Sequence, residues 1–299
     1  MKTYVLVAGS PNVTDLVATA QGLGQPVVAV VVGPKALADA ANTAGVDQVV
    51  WLEAAADKAL EAYAADVAKV VAADPGVVIS GRRPAERALL GVVAATVSAP
   101  IITGAIKVEA EAGQTVVTHG VYGGLSVAVV AFTGPVALLM DGGAPVKGGG
   151  SAAVQAGAVA PAAITVTGLT PNAEAGADLG SAARVVGIGR GLKSADDLGM
   201  IQDLAKALKA EVACSRPVAE GLEWLPRDRY VGISGAHITP AVYLMIGISG
   251  QIQHMGGCRD SQLIVSINSD KEAPVVAQSD YILTGDLYTL VPALTAALG

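Results

Sequence analysis

A chain of 299 residues is long enough for two domains at the usual ~100–200 residues each. Its net charge of −7 and its 3% of aromatic residues exclude a nucleic-acid binder, which needs a basic stripe and stacking rings. Hydrophobic residues reach 52%, yet Gly, Pro or a charge interrupts each apolar run before the ~18 residues that would suggest a membrane span. The cores must therefore be built from Val, Ala, Leu and Ile. Charged residues make up only 15%, which points to surface covered by a partner. Cys214 and Cys258 show no CxxC spacing, so neither a metal site nor a redox disulfide is supported, and both read as reduced thiols of a cytoplasmic protein. The chain enters a strand within its first residues, which leaves no room there for a signal or transit peptide.

In the first half, short β-branched runs over 4–7, 27–32, 49–52 and 77–79 alternate with Ala-rich segments. Helices are expected over 54–73 and 84–96, and this alternation predicts a mostly parallel sheet with helices on both faces. The first turn, Gly9-Ser10-Pro11-Asn12, lacks the spacing of a dinucleotide fingerprint. Gly81-Arg82-Arg83-Pro84 reads either as a helix start with solvated arginines or as an anion site. After Pro100, strands over 116–121, 126–132 and 136–140 read as antiparallel additions to the sheet edge, with His119 in a structural position. Residues 141–180 are rich in Gly, Ala, Pro and Thr and read as linker with one strand at 163–166. A boundary near Gly180 gives domains 1–180 and 181–299.

The second half restarts an α/β pattern whose strand ends are polar or glycine-rich. A strand over 184–188 runs into Gly189-Arg190-Gly191-Leu192, followed by a helix with Ser194 as its N-cap. Strands over 211–214 and 230–233 end in Ser215-Arg216-Pro217 and Ser234-Gly235. The loop Gly247-Ile248-Ser249-Gly250 feeds a helix start at Gln251–His254, a natural anion site. A strand over 263–267 ends in Asn268-Ser269-Asp270, and one over 281–283 turns through Gly285-Asp286 into a last helix. In a doubly wound parallel sheet such ends converge on one crevice. Glycine loops for phosphates, Arg190 and Arg216 for negative charge, and His254 suit a dinucleotide carrying a redox-active ring.

Those motifs carry a family resemblance. GRGL at 189–192, SRP at 215–217, GISGQIQH at 247–254, GCRDSQLIVSINSDKEAPV at 257–275 and SDYILTGDLYTLVP at 279–292 stand in order. Residues 184–299 thus closely resemble the alpha subunit of the electron transfer flavoprotein family. Residues 1–180 resemble it more weakly, through strand–helix order and the Tyr122-Gly123-Gly124 turn. The resemblance implies a two-domain α/β fold with FAD in a doubly wound C-terminal domain. It implies a heterodimer with a beta subunit that holds AMP or a second FAD, the N-terminal domain supplying much of that interface.

Carried over by motif, the implied FAD contacts are Arg190, Ser215, Arg216, the turn Val231, Gly232, Ile233 and Ser234, and the run Ser249, Gly250, Gln251, Ile252, Gln253 and His254. Asn268, Asp286 and Leu287 complete the set. The resemblance puts Arg216 beside the flavin ring, Ser234 and His254 at its polar edge, and Asn268 and Asp286 near the adenosine half. Arg suits the ring side because it stays charged when buried; the imidazole could act as a neutral donor or as a cation. The implied role is that of an electron carrier without catalytic or metal-binding residues. It would move single electrons between acyl-CoA dehydrogenase-like flavoenzymes and other redox partners, a quinone oxidoreductase among them. Two alternatives are a subunit of a flavin-based bifurcating NADH oxidoreductase complex, and a module holding a structural nucleotide. Where the family reads Gln-Thr-Gly-Lys, this chain has Ile233-Ser234-Gly235-Ala236, followed by His237 in a normally apolar position, expected to pack or cap a following helix.

Overall fold

The structure, a computed structural model, describes residues 1–124, 126–140, 148–168 and 179–299. The chain divides into two compact units, Met1–Thr170 and Pro171–Gly299.

In the first unit, β1 (Thr3–Ala8), β2 (Val27–Gly33), β3 (Gln48–Glu53) and β4 (Val77–Ser80) pair in parallel. Every residue of β1, β2 and β4 is buried, as runs of β-branched residues covered on both faces require. Alternation sends Val5 and Val7 toward Leu16 and Val17 of α1 (Thr14–Gly22), while Tyr4 and Leu6 join Leu89 and Val93 of α4 (Pro84–Thr96) on the other face. Helix α2 (Lys35–Ala41) links β2 to β3, and α3 (Ala64–Ala72) links β3 to β4.

Four further strands complete the sheet: β5 (Ile101–Glu111), β6 (Gln114–Val121), β7 (Ser126–Phe132) and β8 (Val136–Met140), with β9 (Ala153–Ala156) on the far edge. The strand order is β7-β6-β5-β8-β4-β1-β2-β3-β9. Strands β6 and β7 are antiparallel additions at the edge, as the sequence predicts. Strand β8 is not: it lies inside the sheet, parallel to both β4 and β5. Its unbroken apolar run Val-Ala-Leu-Leu-Met is covered on both faces, whereas β7 alternates exposed and half-buried positions. Strand β5, unread in the sequence, bends at a register shift near Gly104, whose φ of 65° suits glycine.

Two other expectations change. The helix read over 54–73 begins only with a 3₁₀ turn at Leu60–Tyr63 that runs into α3. The Tyr63 hydroxyl accepts the Ala55 N–H, holding the preceding segment in a turn. Residues 163–166 are not a strand, because the segment bonds back to the α3 side of the unit. The N–H groups of Ala160, Ala162 and Val166 donate to the Asp66 carboxylate and to the Ala62 and Asp57 carbonyls. The strand in this stretch is β9, in what reads as linker, and residues 141–147 and 169–178 lie outside the described residues.

The second unit is a five-stranded, wholly parallel sheet in the order β11-β10-β12-β13-β14. Its strands are β10 (Arg184–Ile188), β11 (Glu211–Cys214), β12 (Val242–Ile246), β13 (Ile264–Asn268) and β14 (Tyr281–Thr284). Helices α5 (Leu198–Leu208) and α7 (Leu287–Leu298) cover one face around Ile188, Leu204, Ile246 and Val291. The one-turn helix α6 (Ile252–Met255) and the loops around it cover the other, over Val185, Tyr243 and Met245. Ser194 caps the helical turn ahead of α5 in a full capping box with Asp197. The strand expected over 230–233 is reduced to isolated bridges, Cys214 to Tyr230 and Val231 to Ala236. The central strand β12 was not read as one. Among the described residues, no helix is long and apolar enough to cross a membrane, and no group of three or more side chains could hold a metal ion.

Candidate functional site

The chain leaves β10 for β11 on one side and returns through β12 on the other, so strand order reverses between β10 and β12. A crevice opens outside the carboxyl ends of strands at such a point. Here β10 runs into Gly189 and β12 into Gly247, and the two loops cross backbone on backbone. The Gly189 N–H donates to the Ile246 carbonyl at 2.9 Å, and the Gly191 N–H to that of Gly247 at 3.1 Å. A Cβ on Gly189 or Gly191 would run into the Gly247 backbone. Gly247 itself, at φ 61°, is in the left-handed region open to glycine.

This crossing floors two hollows that share Gly247. The wider, about 560 Å³, is lined by Arg190, Ser215, Arg216, Ile233 and Ser234 on one side and by Ser249, Gln251, Gln253 and His254 on the other. The narrower, about 310 Å³, is lined by Lys193, Asn268, Ser269, Asp286, Leu287 and Tyr288. Most of the residues singled out in the sequence therefore meet along one crevice. Four do not line it: Val231 is fully buried, Gly232 packs under Tyr230 and the Gln253 carbonyl, Gly250 backs onto Val275, and Ile252 points elsewhere.

The carbonyls of the Gly247–Gly250 loop are tied away from the hollow. Ile248 O accepts from Asn268 Nδ2, Ser249 O from the Val275 N–H, and Gly250 O from Gln278 Nε2, at 2.9–3.0 Å. Among the described residues, no protein acceptor takes the N–H groups of Ser249, Gly250, Gln251 or Ile252. A run of such donors is a concave anion site. The expected helix N-terminus adds little, since α6 is a single turn.

Arg216, exposed at the rim, does not stand alone. Its Nε donates to Glu220 Oε2 at 2.6 Å, and Arg227 Nε reaches the other oxygen at 3.3 Å. The hydrogen bond raises the Arg216 pKa further and holds the Glu220 carboxyl below its usual range. Glu220 thus shares its carboxylate between two arginines. His254 is buried, with Nε2 2.9 Å from the Tyr243 hydroxyl. Burial lowers its pKa to about 4, the Val231 carbonyl opposing only in part, so the ring is neutral at pH 7. In the narrower hollow, Asp286 caps α7 by accepting the Tyr288 N–H at 3.1 Å. The Tyr288 hydroxyl donates to Asp197 at 2.6 Å and accepts the Lys193 N–H at 2.8 Å.

Sequence comparison agrees with this geometry. Residues 9–167 match the profile of the electron transfer flavoprotein domain, and residues 178–259 that of the electron transfer flavoprotein FAD-binding domain. The FixB protein of Salmonella typhimurium (strain LT2) is 35% identical over 295 residues, 95% of this chain and 94% of that protein. FixB of Escherichia coli O17:K52:H18 is 38% identical over 252 residues, 81% and 80% of the two chains. A protein named YdiR from Escherichia coli K12 reaches 54% over 121 residues, 40% of this chain and 39% of that one.

The chain belongs to the electron transfer flavoprotein alpha family.

The residues present fit the FAD that the family's binding domain takes. Free N–H groups and arginines suit a pyrophosphate, and the crevice has two hollows for the two halves of a dinucleotide. The Nδ1 of His254 is buried and makes no well-aligned hydrogen bond within the protein, although the Val231 carbonyl acts on the ring. Several lining residues escaped sequence reading: Tyr230, whose hydroxyl lies 3.1 Å from Ser234 Oγ, and Lys193 and Tyr288. Their signal was position, since Lys193 directly follows the GRGL loop and Tyr288 stands two residues past the Asp286 cap. The positions where this flavoprotein departs from its family also separate. Ile233 lines the wider hollow, but Ala236 packs against the core on the α6 face. His237 turns back toward the Ile233 carbonyl at 3.5 Å, and no helix follows it to cap.

Proposed function

We propose that this chain is the alpha subunit of a cytoplasmic electron carrier that holds one FAD in its second unit. It pairs with an electron transfer flavoprotein beta subunit, which holds AMP or a second FAD. It passes single electrons between acyl-CoA dehydrogenase-like flavoenzymes and a further acceptor such as a quinone oxidoreductase. Bound FAD supplies the electron-accepting and electron-donating chemistry. The chain's own residues bind and tune.

In this reading the Ser249 and Gln251 N–H groups and Arg190 hold the pyrophosphate across the Gly247 crossing. Asn268, Asp286 and Leu287 shape the hollow for the adenosine half, and the wider hollow takes the flavin half. Arg216 sets a positive charge at that rim, and His254 supplies a polar ring edge. The observation that carries the reading is the pair of hollows joined at Gly247, with unpaired N–H groups at the join.

Mass spectrometry of the ligands released from the complex purified with its partner tests it. FAD at one per alpha chain is expected, with AMP or a second FAD from the partner. A nucleotide without a flavin would overturn the reading in favour of a structural-nucleotide module.

A further inference from the structure

His254 lies just past the Gly247–Gly250 loop and is 7% exposed. Its Nε2 stands 2.9 Å from the hydroxyl of Tyr243, and its Nδ1 is buried with no well-aligned hydrogen bond, although the Val231 carbonyl acts on the ring. Tyr243, on β12, is wholly buried, and the two rings lie 6.0 Å apart with 25° between their planes. The hydroxyl has its place because residue 187, on the neighbouring strand β10, is glycine. A Cβ there would overlap the Tyr243 hydroxyl. Residues on two strands and one helical turn thus converge on a single O···N contact.

That contact decides where two protons sit. The Tyr243 hydroxyl has one proton to donate, and His254 Nε2 is its hydrogen-bond partner among the described residues. Leaving a buried hydroxyl proton unpaired is costly, so the hydroxyl donates and Nε2 accepts. A neutral imidazole carries its single proton on one nitrogen, which must then be Nδ1.

We propose that Tyr243 is a positioning residue for the ligand site: by donating to Nε2 it fixes His254, which lines the wider hollow, as the neutral Nδ1–H tautomer rather than a cation. That the hollow's occupant is FAD rests on the function proposed above. The ring meets the Tyr243 hydroxyl, and burial and the Val231 carbonyl are what act on its charge, with no carboxylate or ammonium among those influences. A cationic ring would have no counter-charge there.

The test uses the complex labelled with ¹⁵N-histidine, with and without flavin, and His254→Asn to assign the His254 signals by their loss. The wild-type ¹⁵N shifts at pH 7 should show a neutral ring protonated at Nδ1. Tyr243→Phe keeps the ring's packing and removes only the hydroxyl. It should give a mixture of tautomers and change the equilibrium between reduced and oxidised flavin by up to about tenfold toward oxidised, the worth of one hydrogen bond. An Nε2–H tautomer or an imidazolium in the wild type, or an unchanged ¹⁵N pattern in Tyr243→Phe, would overturn the assignment. The wild-type spectrum reads the tautomer even if Tyr243→Phe fails to fold. A complex that takes up no flavin would sink the FAD reading alone, because the flavin-free spectrum still decides the tautomer.

Discussion

Acidification should push the two units in opposite directions. Glu86, on α4, is 3% exposed, with Oε1 at 3.4 Å from the Ala8 N–H at the end of β1. Burial raises its pKa from 4.5 to about 7, the Ala8 N–H and Arg83 opposing only in part. The folded first unit therefore holds a proton that its unfolded chain releases. The stability this gives is fully present below pH 4.5 and is lost as the pH rises through 7. His254 does the reverse in the second unit. Its pKa falls from 6.5 to about 4, so the unfolded chain takes a proton that the folded ring refuses. That contribution is full above pH 6.5 and is lost as the pH falls toward 4. From pH 7 to pH 5, linkage gives a gain of about 2 kcal/mol for the first unit and a loss of about 2 kcal/mol for the second.

Hydrogen exchange of the flavin-free protein reads both units in one sample. Amides of β1 and β4 report the first, and those of β12 and β13 the second, each corrected for intrinsic rate at pH 7 and pH 5. Other groups titrate as well, so the decisive quantity is the difference from a variant. Glu86→Gln should remove the acid-induced gain in β1 and β4, and His254→Asn the acid-induced loss in β12 and β13. If Glu86→Gln leaves the first unit's pH response as in the wild type, the buried carboxyl does not take up a proton on folding. The same result for His254→Asn would refute the neutral imidazole.

Other substitutions and one expression experiment test the remaining framework. Arg216→Ala should lower the flavin midpoint potential in spectroelectrochemistry, by less than a buried cation would, because the guanidinium is open to solvent; an unchanged midpoint at full flavin content removes Arg216 from the flavin's field. Gly187→Ala should cost about 1–3 kcal/mol in denaturant unfolding, since its methyl overlaps the Tyr243 hydroxyl; a loss below a few tenths would mean that Tyr243 can move away freely. Co-expression with the beta subunit should yield a yellow 1:1 heterodimer, and a lone chain that is monomeric and flavin-saturated would contradict an obligate partner.

How much of this was legible depends on whether a residue's signal is local. Short β-branched runs announced β1, β2, β4 and β10 because their burial is encoded in their own side chains. Strand β8 misled because the turn before it suggests a hairpin, and only its unbroken apolar run marks two-sided burial. Strand β9, Ala-Val-Gln-Ala, carries almost no strand signal and is placed by pairing with β3. At the site, Asp286 was legible as the turn residue ahead of the last helix, because a carboxylate two residues before Tyr288 satisfies its N–H locally. The Tyr243–His254 contact was not, because β12 went unread and Gly187, which makes room for it, lies 56 positions earlier on another strand.

The crossing of the two glycine loops explains why the departures from the family's pattern leave the crevice intact. Gly189, Gly191 and Gly247 exclude one another's Cβ atoms, so a side chain at any of them would separate β10 from β12 at the join of the two hollows. Ile233 lies at the rim of the wider hollow and Ala236 against the core behind it, and neither touches that join. A Gln-to-Ile change at 233 alters which group faces the wider hollow, the Lys-to-Ala change at 236 falls outside its lining, and the N–H groups of Ser249 and Gln251 keep their direction. Their direction is set from behind, by Asn268, Val275 and Gln278 pulling on the loop carbonyls. Ligand capture and tuning therefore rest on different residues: substitutions at 233, which lines the wider hollow, should move a potential before they move occupancy, and substitutions at 189, 191 or 247 should do the reverse.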